Sequence, residues 1–522
     1  MKTAAALGVP ATFNAASYFI DRHLAEGRGG KVAIEYGDER VSYGELEERV
    51  NRFGSALQRK YGVTIGERVA LLLLDTPEFA YSFFGAMKIG AVPIPTNTLW
   101  KAADYRYLLN DSAARVLVIS EELLPEFDRI ARADLPCLEH VIVVGARRSG
   151  NGDSFAVALA DGSSELTAAP CSRDQPAFWL YSSGSTGAPK GCVHLQHNMM
   201  MCAELFGRGV LGITESDRAF SVAKLFFAYG LGNALYFPLA CGATTILWPG
   251  PPTPAHVYRI IERHRPTIFY SVPTGYGMLL AQEGDFDLSS IRVAVSAGEA
   301  LPPALFERFK ARFHVEILDG IGSTEALHMF ISNRAGAIKA GSSGQLVPGY
   351  DARILDDNGA PVAAGEMGNL WIAGDSTCAG YWNQAEKTKH TFQDGWLRTG
   401  DKYSQDADGY FWYAGRSDDM LKVGGQWVSP VEVEHALMEH PAVRECGVVG
   451  REDGDELVKP AAFVVLRDSA AASSDLASEL QRFVRERLAD FKRPRWVEFI
   501  SELPKTPTGK IQRFKLRNGT RD

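Results

Sequence analysis

Between Tyr181 and Gly191 the chain reads Tyr-Ser-Ser-Gly-Ser-Thr-Gly-Ala-Pro-Lys-Gly, with three glycines, three serines, a threonine and one lysine. Glycines let main-chain N–H groups come close to a ligand, while hydroxyls and an ammonium group surround a polyanion, so phosphate is the natural guest of such a loop. The spacing is not the Walker pattern: two residues separate Gly184 from Gly187, and Gly191 follows Lys190 where that motif carries Ser or Thr. Taken alone, these residues allow a nucleotide loop of another lineage or a flexible surface turn. Farther along, Asp319-Gly-Ile-Gly-Ser-Thr-Glu325 sets hydroxyls and a carboxylate after the apolar run Val315 to Leu318. An α/β sheet presents ligand groups in such places, at the carboxyl ends of its strands. Trp396-Leu-Arg-Thr-Gly-Asp401 offers a carboxylate on a turn, and Pro504-Lys-Thr-Pro-Thr-Gly-Lys510-Ile-Gln-Arg513 presents a lysine on a loop bounded by proline and glycine.

The elements that must position these groups alternate in type. Ala177 to Leu180 reads as a buried strand ahead of the first loop. An amphipathic helix follows Ser42, an N-cap with Glu45 three residues on. Val69–Leu74, Ala91–Ile94, Val116–Ile119, Thr244–Leu247, Ile268–Ser271 and Arg292–Val295 read as strands, with helices over Phe79–Ile89 and Tyr105–Leu109. Such alternation implies parallel strands covered by helices. Residues 147–164, rich in Gly, Ser and Asp, read as a surface loop. After about Asp351 the pattern changes to short alternating stretches, Ala352–Asp357, Gly368–Ala373 and Tyr410–Tyr413, which suggests a small antiparallel unit. Gly415 to Asp419 reads as a polar turn. Beyond it lie a helix over Pro430–Glu439, strands at Gly447–Val449 and Ala461–Leu466, an Ala/Ser-rich linker at Ser469–Ser474, and a helix over Asp475–Leu488. The expected fold class is mixed α/β, with a large N-terminal domain (1–417) of wound α/β layers plus a small β unit, and a small α+β C-terminal lid domain (418–522).

A chain of 522 residues exceeds one hydrophobic core, and 46% hydrophobic content can fill more than one. The net charge of −8 argues against bulk nucleic-acid binding. Seven scattered cysteines without CxxC spacing suit free thiols in a reducing compartment and offer no metal cluster. No signal peptide and no membrane span is expected, so the location expected is cytoplasmic.

The set Tyr181–Gly191, Asp319–Glu325, Thr399–Asp401, Gly415–Asp419 and Gly509-Lys510 resembles the adenylate-forming superfamily of acyl-CoA synthetases, adenylation domains and luciferases, over about Ser42 to Leu516. Lys224-Leu-Phe-Phe-Ala-Tyr-Gly-Leu-Gly-Asn233, Ser296-Ala-Gly-Glu-Ala-Leu-Pro302, His328 behind Glu325, and Gly415-Arg-Ser-Asp-Asp-Met-Leu-Lys422 look closest to the benzoate-CoA and hydroxybenzoate-CoA ligase group.

The resemblance implies ATP, Mg²⁺ and coenzyme A as reactants beside an aromatic acid, with no nucleic-acid or membrane partner, and it is compatible with a homodimer. Both reactants are anionic, so the protein must neutralise charge and align groups. By similarity Lys510, Glu325 and Thr186 are catalytic, and Glu325 holds the metal. Ser182, Ser183, Gly184, Ser185, Thr186, Gly187 and Lys190 cradle the ATP phosphates, with Thr324 near the α-phosphate. Ser296, Ala297, Gly298, Glu299, Asp319, Gly320, Ile321, Gly322 and Ser323 complete the nucleotide site, and Asp401 with Arg416 holds the ribose. Phe226, Ala228, Tyr229, Gly230, Gly322 and His328 line the acyl pocket. Asp418 is the hinge on which the lid turns, with Gly424 and Gly425 on the CoA side. Two departures from the wider superfamily bear on substrate. Ile321 stands where many members stack a tyrosine on adenine, and Phe226-Phe-Ala-Tyr-Gly lacks the aspartate that grips an amino acid's ammonium group. An uncharged aromatic or aliphatic acid is therefore expected. The rivals are a stand-alone adenylation enzyme loading a carrier protein, a non-enzymatic nucleotide-binding regulator, and a luciferase-type oxidase.

Overall fold

The computed structural model describes residues 1–146, 152–182, 189–417, 419–423, 426–453, 457–505 and 511–517. Two largely parallel sheets carry the first part of the chain. A five-stranded sheet runs in the order Val92–Pro95, Arg68–Leu72, Val116–Ser120, His140–Val144 and Asp153–Ser154, each pair parallel. In a nine-stranded sheet the consecutive strands Ile317–Gly322, Val293–Ser296, Ile268–Ser271, Arg218–Ser221, Thr244–Leu247 and Val32–Tyr36 are parallel, and antiparallel strands close both edges. The runs Ile268-Phe-Tyr-Ser and Val293-Ala-Val-Ser are buried throughout, as strands covered on both faces must be.

The helices begin where their sequences say they should. Tyr43–Arg59 starts on a capping box in which Ser42 accepts from the Glu45 N–H and Glu45 accepts from the Ser42 N–H. Pro77–Lys88, Pro254–His264, Pro273–Ala281 and Pro303–Phe313 each open on proline, whose missing N–H costs nothing there.

A five-stranded antiparallel sheet of Asp351–Leu355, Gly368–Ala373, Trp396–Gln405, Phe392–Gln393 and Phe411–Arg416 follows, as the alternating pattern implies. Beyond it, Val443–Glu452, Val458–Leu466 and Trp496–Phe499 form a three-stranded sheet with the helices Pro430–Met438 and Ser474–Arg485. The buried core of this last part is drawn from Leu421 to Val484 and includes Val433, Leu437, Val448, Val464 and Leu480. Among the described residues no helix is long and apolar enough to cross a membrane, and all seven cysteines are unbridged.

Four local expectations are corrected. The stretch expected as a loop over 147–164 contains a short strand, Asp153–Ser154, and a helix, Phe155–Asp161. Phe155 stacks on Phe53 with ring centroids 4.7 Å apart, and that burial outweighs the polar composition around it. Asp401 lies within the strand Trp396–Gln405 rather than on a turn, and Gly415 and Arg416 end a strand rather than starting a polar turn. Pairing of Asp401 with Arg416 across the sheet satisfies both backbones there. The expected linker at Ser469–Ser474 is one 3₁₀ turn, Ser469–Ala471, before Ser473 caps the next helix.

Candidate active site

The strand Pro176–Ser182 and the strand Lys190–Leu195 form a hairpin whose last pair is Ser182 with Lys190. Ser183, Gly184, Ser185, Thr186 and Gly187, the residues expected to form the phosphate loop, lie outside the described residues, but both shoulders of that stretch are defined. The free edge of the second strand receives the segment that carries Tyr381. The Val193 N–H donates to Gly380 O at 3.0 Å, and the Trp382 N–H donates to Gly191 O at 2.9 Å. The same segment reaches the Asp319–Glu325 region, since the Cys378 N–H donates to Glu325 O at 2.7 Å.

Three chain segments distant in sequence thereby converge on one cluster. Lys190 Nζ lies 2.9 Å from Glu325 Oε1 and donates to the Tyr381 hydroxyl at 2.6 Å, and that hydroxyl donates to Glu325 Oε1 at 2.8 Å. Burial works against ionisation of Glu325, yet the Lys190 charge and the hydrogen bonds from Lys190 and Tyr381 outweigh it and hold the carboxyl below its ordinary range. Burial, then the Glu325 charge, pushes the Tyr381 phenol up, so it remains a donor. Tyr381 has no counterpart in the sequence reading, because nothing in the spacing of residues 190, 325 and 381 links them.

The residues expected on the nucleotide side occupy the carboxyl ends of adjacent parallel strands. Ser271 pairs with Ser296, and Ser296 pairs with Asp319. Ala297 and Gly298 follow directly, and Gly298 takes a φ of 91°, which favours glycine. Glu299 Oε2 accepts from Thr274 at 3.0 Å. Gly320, Ile321 and Gly322 complete the strand Ile317–Gly322; Ser323 and Thr324 lead into Glu325, and Ser323 Oγ accepts from the Ala326 N–H at 3.2 Å. Asp319 is buried, and its Oδ1, like Ser296 Oγ and Ser271 Oγ, has no hydrogen-bond partner among the described residues. Burial lifts the Asp319 carboxyl to about 8. These buried polar atoms form a row across the carboxyl ends of three adjacent interior strands, where an α/β sheet presents groups to a ligand.

Arg416 Nη1 donates to Asp401 Oδ1 at 3.1 Å. Gly400, with φ 78°, brings the chain so close to this guanidinium that an added Cβ would lie 2.8 Å from Arg416 Nη2. Burial, and after it the Asp401 charge, raises the Tyr403 phenol, and Asp319 contributes to the same shift, so one buried tyrosine feels both carboxylates.

On the acyl side, Ala228, Tyr229 and Gly230 lie on the short helix Ala228–Leu231, behind the buried Phe226. The Tyr229 hydroxyl donates to Ser271 O at 3.2 Å and Val295 O at 3.1 Å, which ties this helix to the carboxyl ends of two interior strands. His328 is buried; its Nε2 donates to Asn233 Oδ1 at 3.1 Å, and ring centroids of Phe237, Phe206 and Tyr229 lie 4.5, 5.3 and 5.5 Å away. Burial lowers His328 to about 3, so the ring is neutral. An added Cβ on Gly232 would lie 2.5 Å from the imidazole, which explains the glycine.

A second anchor, absent from the sequence reading, holds the entrance of this segment. Asp75 Oδ1 accepts from the Leu225 N–H at 3.1 Å, and Lys224 Nζ donates to Trp248 O at 2.6 Å and to Gly250 O at 2.8 Å. Of the remaining expected site residues, Asp418, Gly424, Gly425 and Lys510 lie outside the described residues.

Comparison with known proteins agrees with this arrangement. Residues 21–382 match the AMP-binding enzyme family, and residues 432–510 match the AMP-binding enzyme C-terminal domain. The chain is 52% identical over 522 residues to a benzoate–CoA ligase of Thauera aromatica, covering 99% of this chain and 98% of that protein. It is 44% identical to a 4-hydroxybenzoate–CoA/benzoate–CoA ligase of Rhodopseudomonas palustris, covering 97% and 94%. Among solved structures, the anthranilate CoA ligase AuaEII in complex with anthranoyl-AMP superposes with a TM-score of 0.95 at 46% identity, over 99% of this chain and 98% of that one. A benzoate CoA ligase from Burkholderia xenovorans LB400 gives 0.89 at 47% identity, over 97% and 100%.

Proposed function

The chain belongs to the family of AMP-binding enzymes, and on that premise we infer an ATP-dependent aryl-CoA ligase acting on benzoate or a hydroxy- or aminobenzoate. The observation that carries the reading is a cation–carboxylate pair suited to a charged nucleotide, Lys190 with Glu325, three residues before a neutral His328 that packs among Tyr229 and Phe237, surroundings that suit an uncharged ring.

The reaction has two halves. A carboxylate oxygen of the aryl acid attacks the α-phosphorus of ATP, the bond to pyrophosphate breaks, and acyl-adenylate forms. The CoA thiol then attacks the acyl carbon, the bond to AMP oxygen breaks, and the thiol proton leaves with solvent. Lys190 and the 183–187 loop neutralise the β- and γ-phosphates, Asp401 takes the ribose hydroxyls with Arg416 fixing its orientation, and Lys510 stabilises charge on the α-phosphate and the attacking carboxylate. Asp319 and Ser296 offer their unpartnered oxygens to the base.

Magnesium prefers one or two carboxylates plus phosphate and water oxygens over an all-protein cage. Glu325 is such a single carboxylate, and the described residues hold no cluster of three or more His, Cys, Asp or Glu. Glu325 would hold the ion there, and the ion would supply positive charge against the phosphates. Lys190, and after it Tyr381, keeps Glu325 ionised for that role, and the Tyr381 hydroxyl holds its orientation.

In this reading residues 1–417 bind ATP and acid, residues 418–522 form a lid that turns at Asp418, and Gly424 and Gly425 face the CoA side. The separate core drawn from Leu421 onward supports the division. The unbridged cysteines suit a reducing, cytoplasmic setting.

The test is pyrophosphate release from MgATP against benzoates, cinnamates, medium-chain fatty acids and amino acids, with and without CoA. Sustained release with benzoates only when CoA is present, and an aryl-CoA product by mass, is expected. Adenylate that forms but never passes to CoA would make a carrier protein the acceptor, and no release with any acid would end the enzymatic reading.

A further inference from the structure

The helix Ala102–Asp111 belongs to none of the sequence motifs, yet it touches both shoulders of the phosphate loop. At the entry, the Tyr181 hydroxyl donates to Asp111 Oδ2 at 2.6 Å. At the exit, the Tyr107 hydroxyl donates to Pro189 O at 3.0 Å. Tyr107 and Asp111 stand four residues apart and so share one face of the helix. A third bond joins the same helix end to the Tyr381 segment, since Trp382 Nε1 donates to Asp111 O at 2.9 Å.

The helix itself is firmly held. At its start the Ala102 N–H donates to Glu126 Oε1 at 2.8 Å and the Lys101 N–H to Asp104 Oδ2 at 3.1 Å. Just past its end Arg68 Nε donates to Ser112 O at 2.7 Å, which ties it to the strand Arg68–Leu72. A platform anchored at both ends fixes whatever its exposed face grips.

We propose that Tyr107 and Asp111 are positioning residues for nucleotide binding, which hold the two shoulders of the phosphate loop, Tyr181 and Pro189, on one helix face. The proposal rests on the reading of residues 183–187 as the phosphate loop. Neither side chain touches the reacting atoms; each acts through Pro189 or Tyr181. Preorganisation of this kind lowers the ordering cost of binding, so its loss appears in affinity for ATP and not for the acid.

The experiment measures MgATP binding by calorimetry, KM for ATP and for benzoate at saturating co-substrates, and Tm. Tyr107→Phe and Asp111→Ala should each raise the Kd and KM for ATP about three- to tenfold, the scale of one lost hydrogen bond, and leave the benzoate KM within about twofold. Asp111→Asn, which keeps an acceptor oxygen, should restore most of the affinity. Tyr181→Phe combined with Asp111→Ala should cost no more than either alone, because both remove one bond. An unchanged ATP Kd in Tyr107→Phe and Asp111→Ala would overturn the proposal, as would equal weakening of ATP and benzoate with a matching fall in Tm. If wild-type protein binds MgATP but releases no pyrophosphate with any aryl acid, the ligase reading fails, while the calorimetric comparison still decides the role of the helix.

Discussion

Replacing Lys190 by methionine removes the ammonium from the Lys190–Tyr381–Glu325 cluster while keeping a side chain of similar length. The two ion-pair partners are 14% and 15% exposed at 2.9 Å separation, so the pair is in the regime where removing one member leaves a charge stranded. Breaking a buried pair in this way costs about 3–5 kcal/mol; the Tyr381 hydroxyl still donates to Glu325 and returns about 1 kcal/mol of that. A loss of about 2–4 kcal/mol at pH 8 is therefore expected. The pH dependence carries the sharper test. In the wild type Glu325 titrates below its ordinary value, so its contribution is fully present above the unfolded carboxyl's pKa and is lost only as pH falls through the lower folded value. In Lys190→Met the opposing effect, burial, is left in command and the carboxyl moves above its unfolded value. The variant then binds an extra proton near pH 5 and loses stability as pH rises. Denaturant unfolding of both proteins between pH 5 and pH 8 should show a gap that widens with pH, while Lys190→Arg stays near wild type. A gap that is the same at every pH would refute the claim that Lys190 is what keeps Glu325 ionised.

Asp319 gives the wild type a pH effect of the same sign as that expected of the Lys190→Met variant, and again through burial. Burial raises its folded pKa to about 8, so between about pH 4 and pH 8 the folded protein holds a proton that the unfolded chain releases, and stability falls as pH rises across that window. Asp319→Asn removes this titration, and its Tm should decline less from pH 5 to pH 8 than that of wild type; parallel declines would show that Asp319 is not the group. Lys510→Ala should lower adenylate formation by about 10² to 10³, the scale for loss of a preorganised charge, and leave thioester formation from supplied acyl-adenylate largely intact. Equal losses in the two half-reactions, measured separately by pyrophosphate exchange and aryl-CoA production, would remove its assigned role.

The regular elements were largely legible along the chain. Thr244–Leu247, Ile268–Ser271 and Gly368–Ala373 form over the bounds their patterns indicate, and the Ser42 capping box is present. These are cases where local burial pattern, side-chain shape and capping act within a few residues. Phe155–Asp161 escaped because its helix depends on Phe53, far away in sequence. Asp401 was readable as a carboxylate but not as a strand residue, since its conformation is set by pairing with Arg416.

The same division runs through the site. Residue types and order along the chain determined the chemistry: a hydroxyl- and glycine-rich loop with Lys190, the Ser-Thr-Glu325 turn, Asp401 and Lys510, and an acyl segment without a carboxylate to hold an ammonium group. What only the tertiary structure decided is how those groups are charged and held. Tyr381 joins Lys190 to Glu325, Asn233 fixes the proton of His328, Asp75 and Lys224 hold the acyl segment, and Tyr107 with Asp111 grips the loop's shoulders. These contacts span from 24 to 191 residues. Sequence spacing carries no information about which distant segments meet, nor about how much water is left between them when they do.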